Sequence, residues 1–257
     1  MEFKNIFERY EIKYLMTRQQ QYELYNLMVT HMQPDTFGKS TIYNIYYDTP
    51  DRRLIRKSLD GPCYKEKLRV RSYGVAKSES TVFIELKKKY NGIVYKRRMD
   101  LNERLAHNYL EHSMGVGEKS QIGKEIEYFM KFYEQIEPSV FLSYEREAFV
   151  GKEDPDFRMT FDKNILMRDY DMDLKLGAYG ETLLDDNMIL LEIKTACGIP
   201  EWLLGFLSEN QIYKTSFSKY GCAYQKFLLP RQFCIGAGEE NRTTVIEKEN
   251  GGKKDVA

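Results

Sequence analysis

The chain has 257 residues, 42% of them hydrophobic, which is enough apolar material for one sizeable domain or at most two small ones. Its 39 Lys and Arg residues match its 39 Asp and Glu residues, so the overall charge excludes a general attraction to nucleic acids or acidic membranes. The first ten residues include four charged ones, and no run of eighteen apolar residues occurs. We therefore expect a cytoplasmic protein without a signal peptide or a membrane-spanning helix.

Hydrophobic periodicity divides the chain into short strands and a few helices. In chain order we predict a strand at 7–15, a helix at 17–31, strands at 41–48, 64–73, 81–89 and 93–101, helices at 102–113 and 118–136, strands at 140–149, 157–162 and 188–195, a helix after Pro200 and a helix at 218–229. Thr17 and Gln20 form a capping box at the start of the first helix. Residues 236–257 are poor in apolar side chains, so we predict one domain over 1–235 and a disordered tail over 236–257.

The cysteines and histidines do not form a metal-binding pattern. The three histidines fall in segments that we interpret as helices. The four cysteines are scattered without the paired spacing of a zinc or redox motif, at Cys63, Cys197, Cys222 and Cys234. We expect free thiols and no structural zinc site.

Charged side chains share one face of several predicted strands. Because successive side chains of a strand point to opposite faces, the segment 64–71 places four cations on one face, at Lys65, Lys67, Arg69 and Arg71. The same sorting of the other strands gives a long list of cations, Arg9, Lys13, Lys65, Lys67, Arg69, Arg71, Lys87, Lys89, Lys96, Arg98, Arg146, Arg158 and Lys194. Only four carboxylates oppose them, those of Glu11, Glu85, Asp162 and Glu192.

For a single strand, such a face is well explained as the solvent side of an antiparallel sheet. Many strands together are a different case, because like charges on neighbouring strands repel one another. A sheet that closes into a barrel would direct these cations at one bound polyanion. We therefore predict a tunnel that binds a phosphate chain through Lys and Arg.

A carboxylate inside a phosphate tunnel needs a separate explanation. Glu192 lies among basic neighbours and would repel phosphate, whereas Mg²⁺ or Mn²⁺ is commonly held by one or two carboxylates plus phosphate oxygens. We interpret Glu192 as a metal ligand, with a salt bridge to a facing Arg as the alternative. The same two interpretations apply to Glu11 and Glu85.

Six short motifs, taken in order, resemble those of a known family: Arg9-Tyr10-Glu11-Ile12-Lys13-Tyr14, Lys67-Leu68-Arg69-Val70-Arg71, Glu85-Leu86-Lys87, Tyr144-Glu145-Arg146, Leu191-Glu192-Ile193-Lys194 and Ser218-Lys219-Tyr220. They resemble the VTC domain, the polyphosphate polymerase branch of the triphosphate tunnel metalloenzyme (CYTH-like) superfamily, over about residues 7–229. The resemblance implies an α+β fold, an eight-stranded antiparallel β-barrel tunnel with helices packed around it. It also implies ATP or triphosphate and inorganic polyphosphate as the molecules bound, with Mn²⁺ or Mg²⁺ as the cofactor.

Residue roles follow from the same resemblance. The catalytic cations would be Lys13, Arg69, Arg71, Lys87, Arg146, Arg158 and Lys219. Further substrate contacts would come from Tyr144, Lys67, Lys89, Lys96, Arg98 and Lys194, and the metal would be held by Glu192 and Glu11. The wider superfamily begins with Glu-x-Glu-x-Lys, and Arg9 replaces the first of these glutamates here, which favours a polymerase over a simple triphosphatase.

Three alternatives remain open. A triphosphatase would use the same tunnel with water as the acceptor, and a binding module would hold polyphosphate without turnover. The 20 Tyr and 14 Phe residues could stack on RNA bases, but most fall on apolar faces where core packing explains them better, so we expect no nucleic-acid partner. Whether a membrane protein is a partner is left open by the sequence.

Overall fold

A computed structural model of the protein describes residues 10–91, 93–112 and 120–232. Arg9 and the predicted tail at 236–257 lie outside the described residues. None of the helices in the described part of the chain combines the length and the apolar character needed to cross a membrane.

The elements follow one another as strands with helices between them. The strands are β1 (Tyr10–Thr17), β2 (Met32–Asp48), β3 (Tyr64–Tyr73), β4 (Thr81–Tyr90), β5 (Ile93–Asn102), β6 (Glu137–Gly151), β7 (Arg158–Arg168), β8 (Glu181–Thr182), β9 (Met188–Thr195) and β10 (Lys214–Thr215). The helices are α1 (Arg18–His31), α2 (Arg53–Leu59), α3 (Glu103–His112), α4 (Gln121–Tyr133), α5 (Glu201–Glu209) and α6 (Lys219–Ala223), and a π-helical turn (Tyr224–Leu228) continues α6.

The strands form one antiparallel sheet in the order β10, β1, β9, β7, β6, β2, β3, β4, β5, with β8 paired to β7. The eight predicted strands are therefore present and the predicted α+β class is confirmed, but in the described residues they belong to an unclosed ten-stranded sheet instead of a closed eight-stranded barrel. Within the described residues, β5 pairs only with β4. Most side chains of β5 are exposed, and Lys96, Arg97 and Arg98 place three adjacent charges on this edge strand. Such charges oppose pairing with a further strand.

The two faces of the sheet differ because apolar and charged residues alternate along the strands. On the outer face, Leu68 and Ile84 are fully buried in one core cluster with Tyr109 of α3 and Phe129 of α4. A second cluster covers β9 with α1 and α5. Helices α1, α3, α4 and α5 therefore cover the outside of the sheet. On the opposite face, α6 and the π-helical turn pack in a third cluster with Ile42, Leu142 and Leu190, and the rest of that face carries the charged side chains.

Local signals set the starts of the helices. The Thr17 side chain accepts from the Gln20 amide, and the Gln20 side chain accepts from the Thr17 amide, so the predicted capping box is confirmed. Helix α2 was not predicted from the sequence. Its first turn is capped by the buried Asp48 carboxylate, which accepts from the amides of Leu54 at 2.8 Å and Ile55 at 3.0 Å. A cap of this kind stabilises a helix by about 1 kcal/mol.

Candidate functional site

The concave face of the sheet encloses a cavity of about 680 Å³. Its lining includes nine Lys and Arg side chains and three Glu side chains, contributed by strands on both sides of the cavity and by α6. The charged lining residues are Glu11, Lys13, Lys67, Arg69, Arg71, Glu85, Lys87, Lys96, Arg146, Glu192, Lys194 and Lys219. The excess of cations makes the cavity a site for a polyanion.

One side of the cavity, the Arg69 wall, is formed by the inner faces of β3, β4 and β5. The Glu85 carboxylate is at its centre and contacts Arg69 at 2.7 Å and Lys96 at 2.7 Å, with Arg98 at 3.3 Å. Burial alone would raise the pKa of Glu85, but the surrounding Arg and Lys side chains outweigh it and hold that pKa at about 2. Glu85 is therefore a permanent counterion of this wall.

Strand β2 fixes the two arginines of the Arg69 wall. Arg69 donates to the Tyr46 hydroxyl at 2.8 Å, and Arg71 donates through Nε to the Asn44 side-chain oxygen at 2.9 Å. These partners are neutral, so they orient the guanidinium groups without cancelling their charge.

The other side, the Arg146 wall, is formed by β1, β9, β7 and β6 together with α6. Arg146 donates to both oxygens of Asp162 at 2.6 Å and to Glu192 at 2.9 Å. Lys219 contacts the same two carboxylates, at 2.5 Å and 3.3 Å. Burial opposes the charged form of Glu192, but Lys219, Arg146 and Lys13 outweigh it and hold the pKa of Glu192 well below its usual range.

Helix α6 brings Lys219 into the cavity. Its N-cap, Ser218, accepts from the Gly221 amide, and the Lys67 ammonium contacts the Ser218 hydroxyl at 3.4 Å. The next residue after Lys219, Tyr220, is buried and donates to Asp48 at 2.8 Å. The segment that carries Lys219 is therefore anchored to both the cavity and the base of α2.

The two walls meet across the unpaired edge of the sheet through side chains. Lys87 of β4 lies 3.7 Å from Glu11 of β1, and Lys13 lies 3.3 Å from Glu11 and 3.5 Å from Glu192. The sheet therefore curls far enough for β1 and β4 to form an ion pair through their side chains, although the backbones of these two strands are not hydrogen-bonded to each other.

Twelve of the fifteen predicted site residues line the cavity. The remaining three lie outside its lining. Arg158 is the cross-strand neighbour of Lys194 and pairs with Asp35, and Arg98 lies over the Phe83 ring at 3.7 Å. Lys89 is opposite Lys65 in the strand pair that extends beyond the cavity.

Five polar residues of the cavity lining were not predicted as site residues, Tyr10, Tyr46, Asn91, Ser218 and Tyr220. Tyr46 could have been found, because alternation places it on the same face of β2 as Asn44, directly opposite Arg69 in the register. The contributions of Ser218 and Tyr220 depend on how α6 docks, which periodicity does not predict.

Two carboxylates of the cavity lining, those of Glu11 and Glu192, are the candidate ligands of a divalent metal. The described residues contain no group of three His, Cys, Asp or Glu side chains that could hold an ion by themselves. Glu11 and Glu192 lie on the same face of the β1 and β9 pair, and both contact Lys13. Two carboxylates fit Mg²⁺ or Mn²⁺ when phosphate oxygens supply further ligands.

An antiparallel sheet curled around a cationic cavity with carboxylates in its lining defines a tunnel-like fold with a polyanion site. Within that class, the chain belongs to the VTC domain family, whose model matches residues 8–228. The resemblance noted in the sequence is therefore confirmed.

Solved structures share the fold at low sequence identity. A putative adenylate cyclase from Bacillus halodurans is 15% identical with a TM-score of 0.50, over 84% of this chain and 95% of that chain. An adenylyl cyclase candidate from Hippeastrum, described as having a dominant triphosphatase activity, is 17% identical with a TM-score of 0.51, over 85% of this chain and 96% of that chain. No curated protein matches the chain.

Proposed function

We propose that this protein is a metal-dependent polyphosphate polymerase that transfers the γ-phosphoryl group of ATP to the end of a phosphate chain. The observation that carries the proposal is a row of cations that lines the cavity and continues beyond it. A terminal phosphate oxygen of the chain attacks the γ-phosphorus, the bond to the bridging oxygen breaks, and ADP leaves. Such a reaction requires alignment and charge neutralisation more than covalent chemistry.

The residues of the cavity are suited to alignment. Arg69, Arg71 and Arg146 carry planar guanidinium groups that can each bind two phosphate oxygens. Each is already oriented by a protein partner, through Glu85, Asn44 and Asp162 respectively. Side chains that are fixed before the substrate arrives need little reorganisation during the reaction.

Glu192, with Glu11, would hold the metal in this proposal. When bound, Mg²⁺ or Mn²⁺ would neutralise charge on the phosphate oxygens. Lys13 contacts both carboxylates and would keep them on the same side of the substrate.

A row of lysines that begins in the cavity and continues past it supports a long phosphate chain as the ligand. Lys67 is opposite Lys87, and Lys65 is opposite Lys89 one step further along the same strand pair. Among the described residues, none of the ion pairs includes Lys65, Lys67 or Lys89. Burial, reinforced by neighbouring lysines, lowers the pKa of Lys67 to about 8. A chain that extends past the cavity would neutralise this row.

The test is incubation with ATP, Mn²⁺ and a tripolyphosphate primer, followed by gel electrophoresis. We expect phosphate chains that lengthen with time and ADP as the second product. Release of orthophosphate without chains would contradict the proposal and favour a triphosphatase, the activity stated for the Hippeastrum protein of the same fold. Tight tripolyphosphate binding without any product would indicate a binding module.

A further inference from the structure

Asp162 is the most buried acidic group of the Arg146 wall. It lies on β7 directly opposite Arg146 in the register, its side chain is fully buried, and it does not line the cavity. Both of its oxygens are occupied: Oδ1 accepts from Arg146, and Oδ2 accepts from Arg146 and from Lys219. Asp162 therefore has no free oxygen for a metal and no contact surface for a substrate.

Arg146 and Lys219 are shared between Asp162 and Glu192. Each cation contacts both carboxylates, and the contacts to Asp162 are the shorter ones, 2.6 Å and 2.5 Å against 2.9 Å and 3.3 Å. If Glu192 alone paired with them, its movement toward a metal would leave two buried cations uncompensated, which is strongly unfavourable. With Asp162 in place, both cations keep a partner.

We propose that Asp162 is a positioning residue that holds Arg146 and Lys219 while Glu192 exchanges these two cations for a divalent metal. The inference rests on the proposed function, because it takes the phosphate site and the metal site from it. Asp162 acts through its neighbours and not on the substrate. Its removal would tie Glu192 more firmly to Arg146 and Lys219, so that the metal competes less well for Glu192.

The test compares tripolyphosphate binding with and without metal. Calorimetry gives the Kd in EDTA and in saturating Mn²⁺, and the ratio of the two is the metal enhancement. The complex of Mn²⁺ with free tripolyphosphate is common to all variants and cancels when the ratios are compared. We expect Asp162→Asn to lower the enhancement at least threefold and Glu192→Gln to abolish it. The Kd of Asp162→Asn in EDTA should not weaken, because the variant removes a negative charge.

The matched control is Glu147→Gln. Glu147 is another buried carboxylate that bridges two lysines, Lys163 at 3.0 Å and Lys39 at 3.6 Å, but it faces away from the cavity. If Asp162 served only to stabilise the fold, Asp162→Asn and Glu147→Gln would behave alike, and neither would change the metal enhancement. An enhancement that falls less than threefold in Asp162→Asn, or that falls equally in Glu147→Gln, overturns the inference.

A second variant covers the case in which Asp162→Asn does not fold. Arg146→Lys keeps the positive charge but has one nitrogen in place of the two that contact Asp162. We expect it to lower the enhancement as well, and an unchanged enhancement counts against the inference. If the wild-type protein does not bind tripolyphosphate in EDTA, the proposed function itself fails, which is a distinct result.

Discussion

The two walls of the cavity use carboxylates in different ways. On the Arg69 wall, the single carboxylate of Glu85 serves Arg69, Lys96 and Arg98, so this wall keeps an excess of positive charge. On the Arg146 wall, Asp162 and Glu192 together serve Arg146 and Lys219, so the charges nearly balance. The difference suggests a division of work in which the first wall attracts phosphate and the second can release a carboxylate to a metal.

The largest expected effect concerns the second wall. Glu192→Gln should reduce turnover with Mn²⁺ at least about 100-fold, since the variant would no longer hold the metal that neutralises charge on the phosphate oxygens. Tripolyphosphate binding in EDTA should be retained or become tighter, because the Arg69 wall is untouched. Steady-state kinetics measure the turnover, and calorimetry measures the tripolyphosphate affinity. A fully active Glu192→Gln variant would show that Glu192 is not a metal ligand.

A change on the first wall should show the opposite pattern. Arg69→Gln removes a charged donor of the cavity, and a hydrogen bond to a charged group contributes about 1.5–3 kcal/mol, so tripolyphosphate affinity should fall roughly 10- to 100-fold. Metal enhancement should persist, because the Arg146 wall is intact. The control is Arg97→Gln on the outer face of β5, where Arg97 pairs with Glu125. Equal losses of tripolyphosphate affinity in Arg69→Gln and Arg97→Gln would contradict a specific role of the Arg69 wall in phosphate binding.

The lysine row beyond the cavity should affect long chains only. Lys65→Gln combined with Lys89→Gln removes two partly exposed contacts of at most about 1 kcal/mol each, so affinity for long-chain polyphosphate should fall roughly three- to tenfold. Tripolyphosphate affinity should be unchanged. Lys88→Gln is the matched control, because Lys88 lies between Lys87 and Lys89 but points to the outer face, opposite Glu66. Loss of tripolyphosphate binding in the double variant would show that the row belongs to the central site.

The smallest expected effect is a dependence on pH near 8. Lys67 has a pKa of about 8, so it is charged below pH 8 and neutral above it, and affinity for phosphate chains should fall as the pH rises from 7 to 9. Burial opposes ionisation of Tyr46, but Arg69, Lys67 and Arg71 lower the pKa of its hydroxyl to about 8, which adds a negative charge over the same range. Calorimetry of Lys67→Met and Tyr46→Phe at several pH values should show a flatter profile in each. Profiles as steep as that of the wild type would exclude both groups as the source.

Alternation in the sequence by itself determined which face of each strand carries the charge, since successive side chains of a strand must point to opposite sides. It was sufficient to place Lys67, Arg69 and Arg71 together on one strand face, whereas the position of Lys13 opposite Glu192 was given only by the register of β1 and β9. The capping box at Thr17 was equally local and was confirmed. The sequence did not predict that β5 would remain an edge strand, because closure of the sheet depends on how far all of its strands curl together.

Tertiary structure alone decided how the charges pair. Arg158 and Arg146 both lie on the charged face, yet Arg158 binds Asp35, whereas Arg146 binds Asp162 and Glu192. Asp35 and Arg158 are far apart in the sequence, and no local pattern relates them. Lys219 enters the cavity only because α6 docks through Tyr220 on Asp48. Ion pairs between distant strands depend on the register of the strands and on the packing of the helices. Neither can be derived from the alternation pattern of a single strand.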